Sequence, residues 1–496
     1  MGHMGHMGRI RTRWFFALTA LLTLAVILIP AIWITRSAQA SGATITLSPG
    51  SGLAGWATQV TGSGFRHKES VTITFDAATV ATTTTTTTGA LSVSFVVPQT
   101  TQPGNHTVTA TGVRNIDTAS AIFSVASGAN TWPQFGYTAQ GGRFNPTEST
   151  LTPSNAAQLT QDWSVGLAGG GSIPGAAVYN GVVYVDDNSG IDALDAATGK
   201  LLWYASTIGG SSTISTYITP TVANGMVYAG GGDNYVHAFD AQTGATRWTF
   251  KTGSNMLSSP TAVNGNLYIT CMDGHVYALD AMSGAELWSF QVSSSDGSVP
   301  STPAVANGAV YFVTGNGIGY ALDASTGALL WRNPFGSAWE GINAPAVDGG
   351  TVFMIASAPY PSTQGEIAAL DTATGVIKWT ANTAFYGTNG IALANGVIYV
   401  STVNTGVYAF DEATGALRWQ APITQLGYSA PSVANGVVYV GAGSSYVYAF
   451  DAATGATLTT LGACGYPTSS PLVANGVVYM GCASAFTAFH LPGTTP

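Results

Sequence analysis

The chain holds 496 residues, of which 46% are hydrophobic and 10% aromatic but only 7% charged, with 62 glycines and a formal net charge of -9. Soluble domains carry about 25% charged residues, so this composition argues against a coiled coil and a charge-rich disordered chain. The basic residues up to Ala40 are Arg9, Arg11, Arg13 and Arg36, which leaves 10 basic against 23 acidic side chains beyond it, a net of -13 that excludes binding along a nucleic-acid backbone.

Arg9, Arg11 and Arg13 precede an uncharged apolar run from Trp14 to Ile34, and Ser37-Ala38-Gln39-Ala40 reads as a small-residue cleavage site. Residues 1–40 are therefore expected to be an export signal or membrane anchor, and the protein to be extracellular or on the cell surface. The run of 21 residues exceeds the usual signal core of about 7 to 15 and is long enough to cross a bilayer. Cleavage after Ala40 and retention of residues 14–34 as an anchor both follow from it, the second being the one route to membrane attachment.

From residue 43 to 125 short alternating runs such as Val71-Thr-Ile-Thr-Phe75, Leu91-Ser-Val-Ser-Phe95 and His106-Thr-Val-Thr-Ala110 are separated by Gly, Pro and Asn. Alternation at period two with turn residues between the runs predicts a small β-sandwich. The segment resembles bacterial immunoglobulin-like surface modules in Gly62-Ser-Gly-Phe65 and Pro103-Gly-Asn-His-Thr-Val-Thr-Ala-Thr-Gly112. A linker is expected at 126–131.

Beyond residue 170 the chain repeats itself. Asn-Gly or an equivalent, followed by an apolar triplet ending in an aromatic, recurs at Asn180, Asn224, Asn264, Asn307, Asp348, Asn395, Asn435 and Asn475. Both central residues of a type I′ turn need positive φ, so each Asn-Gly predicts a hairpin. Behind the hairpins comes Ala-x-Asp-x-x-(Thr/Ser)-Gly, with Asp195, Asp240, Asp280, Asp323, Asp371, Asp411 and Asp451 spaced 40 to 48 residues apart. Eight positions on stand Trp203, Trp248, Trp288, Trp331, Trp379 and Trp419, with Thr459 in the seventh place. The aspartates are read as turn caps and the indoles as anchors between neighbouring units, which makes both architectural. Four strands per period describe a propeller blade. The last period ends too early for a fourth strand, and residues 158–165, which hold Trp163, are expected to supply it. The fold class is all-β: an eight-bladed propeller over 132–496 behind the sandwich.

These repeats are similar to the tryptophan-docking motif of the quinoprotein, or PQQ-like, eight-bladed propellers. Trp132-Pro-Gln-Phe-Gly136, Arg143-Phe-Asn-Pro146 and Pro153-Ser-Asn155 resemble the segment that leads into the ring of the quinoprotein dehydrogenases. The resemblance implies either a dehydrogenase that holds pyrroloquinoline quinone (PQQ) with calcium on one face, or a cofactor-free propeller that serves as a platform. That face is made by the loops entering each first strand and following each second strand.

A tricarboxylate quinone needs several cationic or strong donor groups, and only Arg143, Lys251 and Arg332 lie where they could reach that face. The adjacent cysteine pair of many such alcohol dehydrogenases is missing. Asp186, Asp187, Asn188, Asp233, Asp273 and Asp296 offer oxygens for calcium but read as solvated loop residues. The same loops carry Tyr217, Trp339, Phe385, Tyr386, Tyr428 and Tyr466, with Glu340 beside Trp339, a surface suited to a protein or glycan partner. No histidines stand at metal-ligand spacing. Of three cysteines, Cys271 reads as a buried thiol, and Cys464 and Cys482 come close enough for one bridge.

The expectation from sequence is therefore an exported, non-catalytic platform for protein or glycan partners at the cell surface, with no cofactor, no metal and no catalytic residue. A PQQ- and calcium-dependent alcohol or sugar dehydrogenase is the alternative. A self-assembling surface or filament component is a second one.

Overall fold

The computed structural model describes residues 42–493 except 53, 55, 99–100, 114–116, 126–130, 168–174, 188, 208–217, 336–343, 358–364, 384–389, 403–404, 424–428, 444, 463–464, 466–468 and 484. The chain divides into two compact units. One comprises the chain up to Leu47 with Gln59–Ser94 and Thr107–Ile122; the other comprises Ser48–Thr58, Phe95–His106 and all that follows Phe123.

Residues 44–125 make two sheets. One holds three strands, Thr44–Ser48, Ala57–Ser63 and Leu91–Val96; the other five, in the order Ser51–Gly52, Thr118–Val125, Gly104–Gly112, Ser70–Phe75 and Ala78–Thr84. The alternation in Ser70–Phe75 buries Val71, Ile73 and Phe75, while Ser70, Thr72 and Thr74 remain at least partly open. The threonine-rich strand Ala78–Thr84 lies at the edge of its sheet.

Eight four-strand units fill the rest of the described chain, with innermost strands Gly175–Tyr179, Thr221–Ala223, Thr261–Val263, Ala304–Ala306, Ala346–Asp348, Ile391–Ala394, Ser432–Ala434 and Leu472–Ala474. We number them blades 1 to 8. Each innermost strand neighbours the next, and the first lies beside the last, so the blades close into a ring. Blades 1 to 7 use four consecutive strands, and blade 7 gains a fifth, Phe144–Asn145, parallel to its innermost strand. Blade 8 takes its outermost strand from Thr160–Val165, which pairs antiparallel with Phe486–His490 and sets Trp163 opposite Ala488.

Blade 2 shows how the repeat folds. Asn224 and Gly225 adopt φ of 55° and 71° and turn Thr221–Ala223 into Met226–Gly230. Asp240 Oδ1 accepts the N–H groups of Gln242 and Thr243 and the Thr243 hydroxyl, and Gly244 completes the turn at φ 73°. Middle strands are covered on both faces, so Val227, Ala229, Val236 and Ala238 are buried. Blade 5 departs from expectation: Gly349 and Gly350 occupy its hairpin, and Asp348 ends the innermost strand, paired with Thr351.

Each indole docks onto the following blade. The Nε1–H groups of Trp163, Trp203, Trp248, Trp288, Trp331, Trp379 and Trp419 donate to the carbonyls of Ala196, Ala241, Ala281, Ala324, Thr372, Glu412 and Ala452 at 2.9–3.2 Å. The ring lies on the turn glycine of that blade, too close for any side chain there. Arg247 and Arg418 pair with the outer oxygens of Asp240 and Asp411 at 2.5 and 2.6 Å.

The lead-in segment Trp132–Asn145 runs inside the ring and meets the free edge of every innermost strand in turn. The N–H groups of Val178, Val222, Val305, Val347, Leu393 and Val433 donate to the carbonyls of Trp132, Pro133, Ala139, Gln140, Gly142 and Arg143 at 2.7–3.0 Å. Ala262 N–H donates to Gln134 Oε1, and Asn145 Nδ2 donates to the Val473 carbonyl. One segment thus satisfies edge groups of all eight blades.

Candidate functional site: the loop face of the ring

The loops between second and third strands, and those leading from one blade into the next, gather on the face opposite the Asn-Gly hairpins. Their carboxylates are engaged locally. Asp187 Oδ1 accepts the N–H and hydroxyl of Ser189 and the N–H of Gly190 at 2.7–2.9 Å. Asp233 accepts the Tyr235 N–H and pairs with His237 Nε2 at 3.1 Å, and the imidazole stacks on Phe239. Asp273 accepts the N–H groups of His275 and Gly253 and the Tyr277 hydroxyl at 2.8–2.9 Å. Burial pushes the Asp273 carboxyl up, but these hydrogen bonds together outweigh it and leave the group below its ordinary range. Nearby Cys271 is a free, buried thiol that burial pushes up to about 11, which leaves it protonated and inert.

Asp296 is 1% exposed and takes Arg332 Nε and Nη2 at 2.6 Å each, together with the Tyr320 hydroxyl. Arg332 holds this carboxyl down at about 2. Asp186, Asp187 and Asp192 are also buried. The reading of Asp186, Asp187 and Asp296 as solvated is thus corrected: Asp186 belongs to a middle strand covered by its neighbours, Asp187 turns onto its own loop amides, and Asp296 is covered with Arg332 and Tyr320 on it.

Arg143, expected near the face, lies inside the ring at 2% exposure. Its Nε donates to the Pro431 carbonyl, Nη1 to Phe135, and Nη2 to Ser432 Oγ and the Pro471 carbonyl at 2.6–2.9 Å. The guanidinium sits 5.5 and 4.6 Å from the rings of Trp132 and Phe135. Burial pulls its pKa below the ordinary arginine range. Lys251 is exposed at the end of the outermost strand of blade 2.

A belt of hydroxyls before the innermost strands carried a signal that the sequence reading missed, the recurrence of Ser or Thr before Pro at 219, 259, 302 and 470. The N–H groups of Thr219, Ser259 and Ala430 donate to the hydroxyls of Ser259, Thr302 and Ser470, each on the following blade.

Tyr217, Trp339, Glu340, Phe385, Tyr386, Tyr428 and Tyr466 lie outside the described residues, as do residues 14–34 and Cys464. Cys482 is buried and disulfide-bonded.

Comparison with solved structures places the ring among known propellers. BamB from Moraxella catarrhalis aligns with a TM-score of 0.53 and 20% identity, over 67% of this chain and 99% of its own. Quinohemoprotein alcohol dehydrogenase from Comamonas testosteroni aligns with a TM-score of 0.62 and 15% identity, over 75% of this chain and 82% of its own. By sequence, the dehydrogenase subunit of the quinone-type alcohol dehydrogenase from Gluconobacter oxydans is 33% identical over 146 residues, which is 27% of this chain and 19% of that protein. The cytochrome c 1-butanol dehydrogenase from Thauera butanivorans is 33% identical over 137 residues, 26% of this chain and 20% of its own length. The match spans a fifth or less of these curated relatives.

These relatives correct the expectation of a non-catalytic platform without a cofactor, because their names are those of quinone-dependent dehydrogenases. The described residues do not by themselves fit PQQ and calcium. Arg332 is neutralised by Asp296, and Arg143 lies beneath the face on carbonyl oxygens. Among the described residues no three His, Cys, Asp or Glu side chains converge as a metal site.

The profile of the family described as outer membrane protein assembly factor BamB matches residues 121–381 and 363–489. Together with the closed ring of docked indoles, this establishes that the chain belongs to that family of PQQ-like propellers.

Proposed function

We propose that this protein is an exported alcohol dehydrogenase of the quinoprotein type, with PQQ and calcium as its cofactor. The observation that carries the reading is the stretch of 146 residues that is 33% identical to the Gluconobacter oxydans dehydrogenase subunit. A ring on which the relatives and this chain agree in fold supports it. The described residues contribute a closed ring whose loop carboxylates Asp187, Asp233 and Asp273 are engaged by neighbouring groups and Asp296 by Arg332. No catalytic step is assigned to them.

Incubation of the purified full-length protein with PQQ and calcium chloride tests the reading. The expected result is quinone that co-elutes with the protein on gel filtration, with a shifted absorption band, and dye reduction on addition of ethanol or 1-butanol. Elution of all quinone as free cofactor, with no dye reduction by either alcohol, would sink it. Export is tested separately by sequencing the mature N-terminus, with Ser41 expected as the first residue.

A further inference from the structure

The eight junctions between blades are not alike. Among the described residues, seven are closed by an indole on a turn glycine, and the junction from blade 7 to blade 8 is not. Thr459 stands where blade 7 would present its tryptophan, opposite Ala449, and the third strand of blade 8 is followed by Leu491-Pro492-Gly493 in place of an Asp-x-x-Thr-Gly turn. The loss reaches the second strand too. Tyr184, Tyr228, Tyr268, Tyr311 and Tyr399 donate their hydroxyls to the same carbonyls that receive the indoles. Tyr439 of blade 7 is fully buried, and its hydroxyl has no hydrogen-bond partner among the described residues. An unsatisfied buried hydroxyl is costly, and it sits at this seam.

Besides the Ala430 N–H and Ser432 hydroxyl, which donate to Ser470 Oγ and the Pro471 carbonyl, the seam is crossed by the end of the lead-in segment and the residues after it. Arg143 joins the Pro431 carbonyl and Ser432 of blade 7 to the Pro471 carbonyl of blade 8. Glu148 Oε1 accepts the N–H groups of Thr150 and Leu151, while Oε2 accepts the N–H of Gly476 in the hairpin of blade 8 at 2.9 Å. Asn435, in the hairpin of blade 7, donates through Nδ2 to the Leu151 carbonyl at 2.8 Å. Leu151, Ala156 and Leu159 fill an apolar cluster between Tyr439 and Leu461 on one side and Val473, Met480 and Phe489 on the other.

We propose that residues 143–159 are a clasp, and that the ring opens first at the seam between blades 7 and 8 when the clasp lets go. This seam lacks the indole-to-carbonyl bond that each docked junction has, and part of what fastens it is a strap of chain rather than a blade. The opening is a local one, of lower free energy than global unfolding.

Hydrogen exchange followed by mass spectrometry on the intact full-length chain reads this directly. In the unmodified protein, amides of residues 432–434, 472–474 and 143–151 should exchange about tenfold faster than the equivalent innermost strands of blades 2 to 6, in line with the loss of one or two interactions. Glu148→Ala should accelerate the seam by about a further tenfold and leave blades 3 to 5 unchanged. Asn435→Gly is the milder variant: it keeps the positive φ of the hairpin and removes only the bond to Leu151, so it should show the same pattern on a smaller scale. Fastest exchange at a docked junction, or equal acceleration of all eight blades in either variant, would overturn the proposal.

Discussion

The indole of Trp331 lies directly against Gly375 of the next blade: a Cβ placed on this glycine would stand 2.6 Å from the ring. The glycine also holds φ at 68°, so both its conformation and its lack of a side chain are used. Gly375→Ala is expected to lower stability by about 2–4 kcal/mol, combining left-handed strain with overpacking. Gly308, at φ 75° with open space for 4 Å around the point a methyl group would occupy, supplies the control, since Gly308→Ala incurs only the strain, about 1 kcal/mol. Denaturant midpoints of the two variants should rank in that order; equal midpoints would mean that the indole contact contributes nothing.

Tyr228 and Tyr439 occupy equivalent places on blades 2 and 7 but differ in what receives their hydroxyls. Tyr228→Phe removes a bond of 2.9 Å to the Ala281 carbonyl and should cost about 1 kcal/mol. Tyr439→Phe removes an orphan and should leave stability unchanged or raise it. Urea titration of both variants against the unmodified protein checks the difference in sign.

Glu412 supplies a pH dependence. Burial pushes its carboxyl up to about 7, with repulsion from Asp348 and a hydrogen bond to it adding to the rise. The folded state therefore holds this proton more tightly than the unfolded chain, so the contribution is full below the ordinary value of 4.5 and is lost as pH rises through about 7. The melting temperature should fall across that window in the unmodified protein, and Glu412→Gln should flatten this part of the profile. An identical slope in the variant would assign the loss to another group.

Asp296 works in the opposite sense. Arg332 holds its carboxyl at about 2, so the stabilisation is present above the ordinary value of 3.8 and disappears as pH falls through about 2. Asp296→Asn should lower the melting temperature at neutral pH because it leaves the Arg332 guanidinium without its anion, and the gap from the unmodified protein should close in acid. Melting curves at pH 7 and at pH 2 decide it.

The ring was legible in the sequence because its determinants are local and repeated. Asp240, Thr243 and Gly244 cap one turn within five residues, and Trp248 follows at a fixed distance. The place of Arg143 was not legible, since its partners Pro431 and Pro471 stand 288 and 328 residues away and no local pattern marks a carbonyl as an acceptor. The pairing of Asp296 with Arg332 joins a loop turn to an outermost strand 36 residues away, and makes an apparent loop acid and an apparent face cation one neutral unit. Function is less legible than fold because scarcity of charge on the face argues against a charged cofactor while the relatives' names point to one, and the aromatic loops of that face lie outside the described residues.

The inner thread from Trp132 to Asn145 offers a matched polar group to each sector of the toroid, once and in order. A descendant that dropped or duplicated one repeat by unequal recombination would strand a carbonyl or an amide in the dry centre. The thread thus matches a ring of eight sectors and leaves no polar group over for a ninth.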